Sequence, residues 1–351
     1  MKLVRPVSVL DAVLTSSNTI EVSALAAYNA GTTYGLNAEV SVTTGTLIVA
    51  YISLAPGNTG NTPASSPLWW RKTGETYAVY NAGTSYSIND IVISVSANVH
   101  LSYRSLVNSN LGNALTDVTK WLALGATNRW KKYDAAVNSQ SVRPLSMTDV
   151  LTTAELVDTV ACLNVDAAEI IITQTDPVEG VVFNQTFSMI SDSGITDPYA
   201  YCFEPIVRLT DLIVSGLLPY TGALISVTLN NPSSDAKIGA LILGLSADIG
   251  ATQYGASVGI IDYSVKSTDV FGNIAIVERS YSKRGDFTVW VPNTLIDTLQ
   301  INLANFRATP ILYLGSDQYT STAIYGFFKD FSVAIAYPTV SVCTINIEGL
   351  T

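Results

Sequence analysis

The sequence predicts an all-β protein assembled from several β units, and three observations predict it. A block of residues near the N-terminus recurs in tandem at an offset of 52. The rest of the chain is short β-branched runs punctuated by Gly, Pro, Asn and Asp. Only one stretch carries clear helical spacing.

Composition sets the outer bounds. A chain of 351 residues has room for roughly two to four domains. With 48% apolar and 13% charged residues it is globular rather than disordered. So few charges leave a surface of Ser, Thr, Asn and Tyr, suited to packing against other subunits or to hydrogen-bonding neutral polymers such as glycans. The net charge is −10 and the basic residues are scattered, so nucleic acid is not an expected partner. Mean hydropathy is high at +0.32. Yet the most apolar stretch, Leu209 to Leu229, is broken by Asp211, Ser215, Gly216, Pro219, Tyr220, Thr221 and Gly222, so no membrane insertion is expected.

Residues 1–23 form an N-terminal segment. Its apolar stretch is short and interrupted by Asp11, and it reads as mature sequence rather than a signal peptide. Cys162, Cys202 and Cys343 are odd in number and widely spaced. They suit neither a disulfide framework nor a zinc site, and are expected as small apolar side chains. No metal and no cofactor is expected.

The first repeat is placed at 24–75 and the second at 76–127. Tyr28-Asn29-Ala30-Gly31-Thr32-Thr33-Tyr34 returns as Tyr80-Asn81-Ala82-Gly83-Thr84-Ser85-Tyr86. Tyr51-Ile52-Ser53-Leu54 returns as Tyr103-Arg104-Ser105-Leu106, and Asn58, Gly60 and Asn61 as Asn110, Gly112 and Asn113. After a one-residue deletion Trp70 matches Trp121. Asn-Ala-Gly-Thr is turn chemistry, whereas Val40-Ser41-Val42 and Val92-Ile93-Ser94-Val95 are strand-like. A unit this small has little interior, so its Trp and Tyr rings must supply most of the buried area.

The pattern resembles the family 5/12 carbohydrate-binding modules, small three-stranded units attached to chitinases and cellulases. It does so through Tyr28/Tyr80, Tyr34/Tyr86, Asn37-Ala38/Asn89-Asp90, Tyr51/Tyr103 and Trp70/Trp121, over roughly residues 24–126. One departure concerns binding: where glycan-binding members carry adjacent exposed aromatics, this chain has Leu54-Ala55-Pro56 and Leu106-Val107-Asn108. Two readings follow. Tyr28, Trp69 and Tyr80 form a reduced sugar-contacting surface, or the rings are core and the modules hold or decorate.

Residues 128–247 are expected to form a β-sandwich. Ile170-Ile171-Ile172, Val181 to Phe187 and Ile225 to Leu229 read as strands, with Asn230-Asn231-Pro232 as a turn and Ile238 to Leu243 as a buried strand. The start at Asn128-Arg129-Trp130 and the Ile238-Gly239 edge resemble galactose-binding jelly rolls. Residues 248–351 are expected as a second β domain with one short helix. Asn293 is its expected N-cap, and Ile296, Leu299, Leu303 and Phe306 share one face. This half looks like proteins of tailed-phage structural operons through Tyr254 to Ser264, Glu278 to Arg284 and Tyr325 to Phe331.

Catalysis is not expected. Gly255-Ala256-Ser257-Val258-Gly259 matches G-x-S-x-G, but Ile260-Ile261-Asp262-Tyr263 continues as strand where a nucleophile elbow needs a helix. The single histidine, His100, lies in the second repeat and is expected as a surface or rim residue. Asp192 to Asp197 is an Asx-rich turn without an EF-hand pattern. Glu278, Arg279, Lys283 and Arg284 lie in the densest charge in the chain, read as an assembly interface against the plainer reading of a charged strand edge.

The phage resemblance implies a virion component of tail, baseplate or tail tip, made in the bacterial cytoplasm. Its expected partners are other virion proteins, further copies of itself in a symmetric assembly, and host-surface polysaccharide. The alternative is a free carbohydrate-binding adhesin or accessory module.

Overall fold

A computed structural model describes residues 1–21, 25–95, 98–191, 197–203, 207–268, 271–316 and 318–351. The chain is all-β, with 51% of residues in strands and 8% helical. Among the described residues every strand pairing within a sheet is antiparallel.

The two repeats are two copies of one three-stranded meander. The first has strands Glu39–Thr44, Leu47–Ser53 and Trp70–Tyr77; the second has Ile91–Ser94, Leu101–Ser105 and Trp121–Ala126. Equivalence extends to irregularities. The register breaks between Ala50 and Tyr51 in one copy and between Ser102 and Tyr103 in the other. Asn37 and Asn89 hold φ of 65° and 72°, and Gly60 and Gly112 hold 73° and 72°. These are left-handed positions that Gly and Asn tolerate best, which explains why the repeat keeps those residue types there.

The sandwich pairs a five-stranded sheet with half of a larger one. The smaller sheet runs Gly180–Ser188, Glu169–Asp176, Leu224–Ile238, Ser141–Thr152, Leu14–Ser17. Glu169–Asp176 alternates half-buried and buried side chains without exception, the signature of one face turned to a core. Ile170, Ile172, Val227, Leu229 and Met147 meet Val160, Cys162, Leu241 and Leu243 from the facing strands.

The larger sheet has ten strands. Its path is Leu212–Ser215, Thr159–Leu163, Ala240–Asp248, Lys2–Pro6, Ile311–Leu314, Ala323–Ala334, Val340–Gly349, Tyr281–Pro292 and Ala251–Thr252, with Ser257–Asp262 also on Tyr281–Pro292. Lys2–Pro6 therefore sits in mid-sheet between Ala240–Asp248 and Ile311–Leu314. The boundary expected at 247/248 falls inside this continuous sheet. Residues 1–23, expected as a segment apart, supply the strand that joins its two halves. Phe287, Val289, Val291, Ile345 and Ile347 make the core of the second half under the helix Ile296–Asn305.

The helix buries Leu299 and Leu303, with Ile296 and Phe306 packed beside them, the face expected from the spacing. Its cap differs. A single 3-10 turn, Asn293–Leu295, precedes it and Leu295 is the N-cap. The Asn293 side chain instead donates to the carbonyls of Tyr337 and Pro338 and accepts from Ser341, tying down a distant loop. Asn230-Asn231-Pro232 is likewise no chain reversal: the strand runs on to Ile238, with a register shift between Asn231 and Asp235 that absorbs the proline. A second helix, Pro198–Phe203, has no periodic signal in the sequence.

Candidate functional site

In the first module Tyr28 stacks on Tyr34 at 5.8 Å, and Trp70 meets both edge-on at 5.9 and 5.2 Å. In the second, Tyr80, Tyr86 and Trp121 repeat this at 6.0, 5.7 and 5.3 Å. Polar ties repeat too. The indole N–H of Trp70 donates to the Asn61 carbonyl at 2.8 Å, and that of Trp121 to Asn113 at 3.1 Å. The Asn29 and Asn81 amides donate to the hydroxyls of Tyr34 and Tyr86 at 2.7 and 2.8 Å. Tyr28 and Tyr80, two of the expected sugar-contacting rings, are thus half-buried members of their modules' own ring triads.

Trp69 lies outside the triad and is half-buried. Its carbonyl accepts from the Leu54 amide at 2.9 Å; in the second module the Lys120 carbonyl accepts from Leu106 at the same distance. Lys120 therefore occupies the Trp69 position. The duplication keeps the internal rings and not the outer one.

The charged run is divided by the fold. Lys283 forms an ion pair with Asp211 of the sandwich half, inside the chain. Glu278, Arg279 and Arg284 are exposed. Arg284 is on the paired part of Ser257–Asp262 and Tyr281–Pro292, and the Arg279 amide donates to Ser264 Oγ at 3.1 Å. Lys283 is a strut, and the other three lie along a projecting β-ribbon.

Two buried ionic clusters that the sequence does not predict lie at the base of the modules: one ties the second module to the body, and the other stands inside the sandwich. Glu21 is almost fully buried and accepts from Trp130 Nε1 at 3.0 Å, from Thr127 Oγ1, and contacts His100 Nδ1 at 2.9 Å. The other ring nitrogen, Nε2, lies 3.0 Å from Asp11. His100 is thus a buried joint, not a rim residue. Nearby, Lys132 and Asp149 pair at 2.6 Å with both side chains buried, and Asp149 also accepts from Tyr133 at 2.7 Å and Ser17 at 2.6 Å. Burial pushes the Lys132 ammonium down from its usual range, against the pull of Asp149. Burial also pushes the Tyr133 hydroxyl well up, with the Asp149 charge adding to it. A sequence signal existed in Asn128-Arg129-Trp130-Lys131-Lys132-Tyr133, a dense polar-aromatic run after the second repeat, but its acidic partners lie far off in the chain.

Ser257 opens the strand Ser257–Asp262 and donates to Asp286 at 3.1 Å, while His100 is engaged at the joint. Asp192 to Thr196 of the Asx-rich turn lie outside the described residues. A cavity of about 610 Å³ lies beside Met1, Gln253, Tyr254, Phe287, Tyr319 and Thr322; none of its described lining residues is Asp, Glu or His. Among the described residues no group of three or more His, Cys, Asp or Glu has the geometry to hold a metal.

No family model, curated protein or solved structure matches this chain.

Proposed function

We propose that this chain is a structural component of a tailed-phage virion, placed in the tail, baseplate or tail tip, where it makes contacts with other virion proteins and with copies of itself. The observation that carries the assembly part is the ribbon leaving the ten-stranded sheet. The paired strands Val265–Thr268 and Ile274–Val277 expose all their residues, and all four of the second are apolar. A chain that works alone gains nothing by leaving such strands uncovered. The phage part rests on the resemblance of Tyr254 to Ser264, Glu278 to Arg284 and Tyr325 to Phe331.

Assembly is favoured over a free carbohydrate-binding protein because the duplicated rings face one another rather than a flat outer surface. On this reading the modules are compact spacers held to the sandwich by Glu21 and Arg143. Contact with host-surface polysaccharide would fall to Trp69 in the first module alone.

Particles purified on a density gradient from the producing strain test the proposal. Peptides of this chain are expected in the particle band at fixed stoichiometry, with antibody to residues 24–126 decorating the tail end in electron micrographs. Finding the chain only among free proteins would overturn it. Retention of the full chain on chitin, peptidoglycan or lipopolysaccharide, abolished by Tyr28→Ala with Tyr80→Ala, would favour the carbohydrate reading instead.

A further inference from the structure

We propose that Lys132 Nζ and Asp149 Cγ join in an intramolecular amide bond with loss of one water, a covalent cross-link inside the sandwich.

The fold brings the two groups together. Lys132 stands in the 3-10 turn Lys131–Tyr133 that follows the second module. Asp149 stands in Ser141–Thr152, which lies between Leu224–Ile238 and Leu14–Ser17. Nζ is 2.6 Å from Asp149 Oδ2, and the two side chains are 1% and 3% exposed. Every other lysine–carboxylate pair among the described residues is in reach of water. Lys283 is 32% exposed in its pair with Asp211, and Lys72, Lys237, Lys266 and Lys329 are more exposed still.

A dry ion pair is a poor source of stability, because desolvation offsets most of its attraction. An ammonium also carries three N–H groups. Here one meets Asp149, and another only the Met147 thioether at 3.6 Å, a weak acceptor. Burial therefore holds the Lys132 amine below its usual range, toward the unprotonated form that is a nucleophile.

A proton passing from Nζ to Oδ2 leaves a neutral amine against a carboxylic acid. The nitrogen lone pair then attacks Cγ, one bond beyond Oδ2. The negative charge of the tetrahedral intermediate falls on Oδ1, where Ser17 Oγ donates at 2.6 Å. Oδ2, held by the Tyr133 hydroxyl at 2.7 Å, takes a second proton from the nitrogen and leaves as water. One ammonium and one carboxylate give one amide and one water, with no change of oxidation state. Groups held in such contact react as if at concentrations on the order of 10⁵ M or more. A cavity of about 240 Å³, lined by Lys132 and Tyr133 beside Val7 and Leu241, can receive the water released. The bond would fasten the turn at the base of the modules to an inner strand of the sheet, where a pull on the modules enters the sandwich.

Intact mass spectrometry of the unfolded full chain tests the bond. The expected mass is one water below that of the sequence. Chymotrypsin, which cuts after Tyr133, Met147 and Leu151, should release a branched peptide joining residues 131–133 to residues 148–151. Lys132→Arg keeps the charge without the amine nucleophile and should restore the full mass; should it fail to fold, the native chain still gives the answer. Tyr133→Phe, confirmed as folded by near-ultraviolet circular dichroism, should slow the loss of water in newly made chain at least about tenfold. A native chain that keeps its full mass on prolonged storage would overturn the inference. So would a water loss carried by a linear peptide, the mark of a succinimide. The bond closes within one chain whether or not that chain enters a particle, so its absence would leave the virion reading standing.

Discussion

Asn58 and Asn110 sit with their amides inside their modules, each joining three segments. Asn110 Nδ2 donates to Ser105 Oγ at 3.0 Å and to the Lys120 carbonyl at 3.3 Å, while its Oδ1 accepts from Asn113 at 2.8 Å. Asn58 does the same with Ser53, Trp69 and Asn61 at 3.1, 3.3 and 2.9 Å. No apolar side chain can replace this, because the Ser105 hydroxyl and the Lys120 carbonyl would lose a buried partner. Asn110→Ala is expected to destabilise the second module by about 2 kcal/mol, read as a lower unfolding midpoint by tryptophan fluorescence. An unchanged midpoint would mean that the repeated asparagines reflect ancestry and not stability. Such residues were visible in the sequence as coincidences at a fixed offset. Their roles were not, since a repeat shows which residues recur and not which atoms they hold.

At the scale of elements, the strand Lys2–Pro6 matters most. Leu3 and Val4 are buried, Leu3 against the Phe287 core and Val4 against the Ile242 and Leu312 face. Both neighbours of the strand lie hundreds of residues downstream. Val4→Asp would place an unpaired carboxylate in the middle of the sheet, a cost of several kcal/mol. The expected outcome is loss of soluble protein, or a chain whose strands 240–248 and 311–314 exchange amide hydrogen quickly while the modules keep native protection. Native protection throughout would show that the two halves hold together without the strand. The long strands Leu224–Ile238 and Ala323–Ala334 make a related point. Each contains a register shift, between Asn231 and Asp235 in the first and between Phe328 and Asp330 in the second, and pairing with neighbouring strands carries the chain past it; in the first, local chemistry alone reads as a turn.

For the molecule as a whole, the modules' attachment depends on a few buried charges. Glu21 gathers His100, Thr127 and Trp130, while Arg143 reaches from the sandwich to Glu39 of the first module at 3.0 Å. A buried carboxylate with this many donors fixes orientation more than it adds stability, and removing it strands its donors. Glu21→Leu is expected to loosen the second module from the body. Limited proteolysis should then cut near residues 126–128 at least several-fold faster, with little change in far-ultraviolet circular dichroism. Equal cleavage rates would show that apolar packing alone holds the joint.

Read by itself, the sequence determined the all-β class, the tandem modules with their ring positions, and the helix face built on Leu299 and Leu303. All of these follow from short-range spacing, which repeats, alternation and helical periodicity express directly. Only the tertiary structure decided that Lys2–Pro6 ties two halves into one sheet, that His100 is a buried joint, and that Lys283 pairs inward with Asp211 while its neighbours line an exposed ribbon. The reason is that burial, ion pairing and sheet order depend on which distant segments come together, and a chain with so few charges and so many alternating strands is compatible with many such arrangements until its side chains are packed.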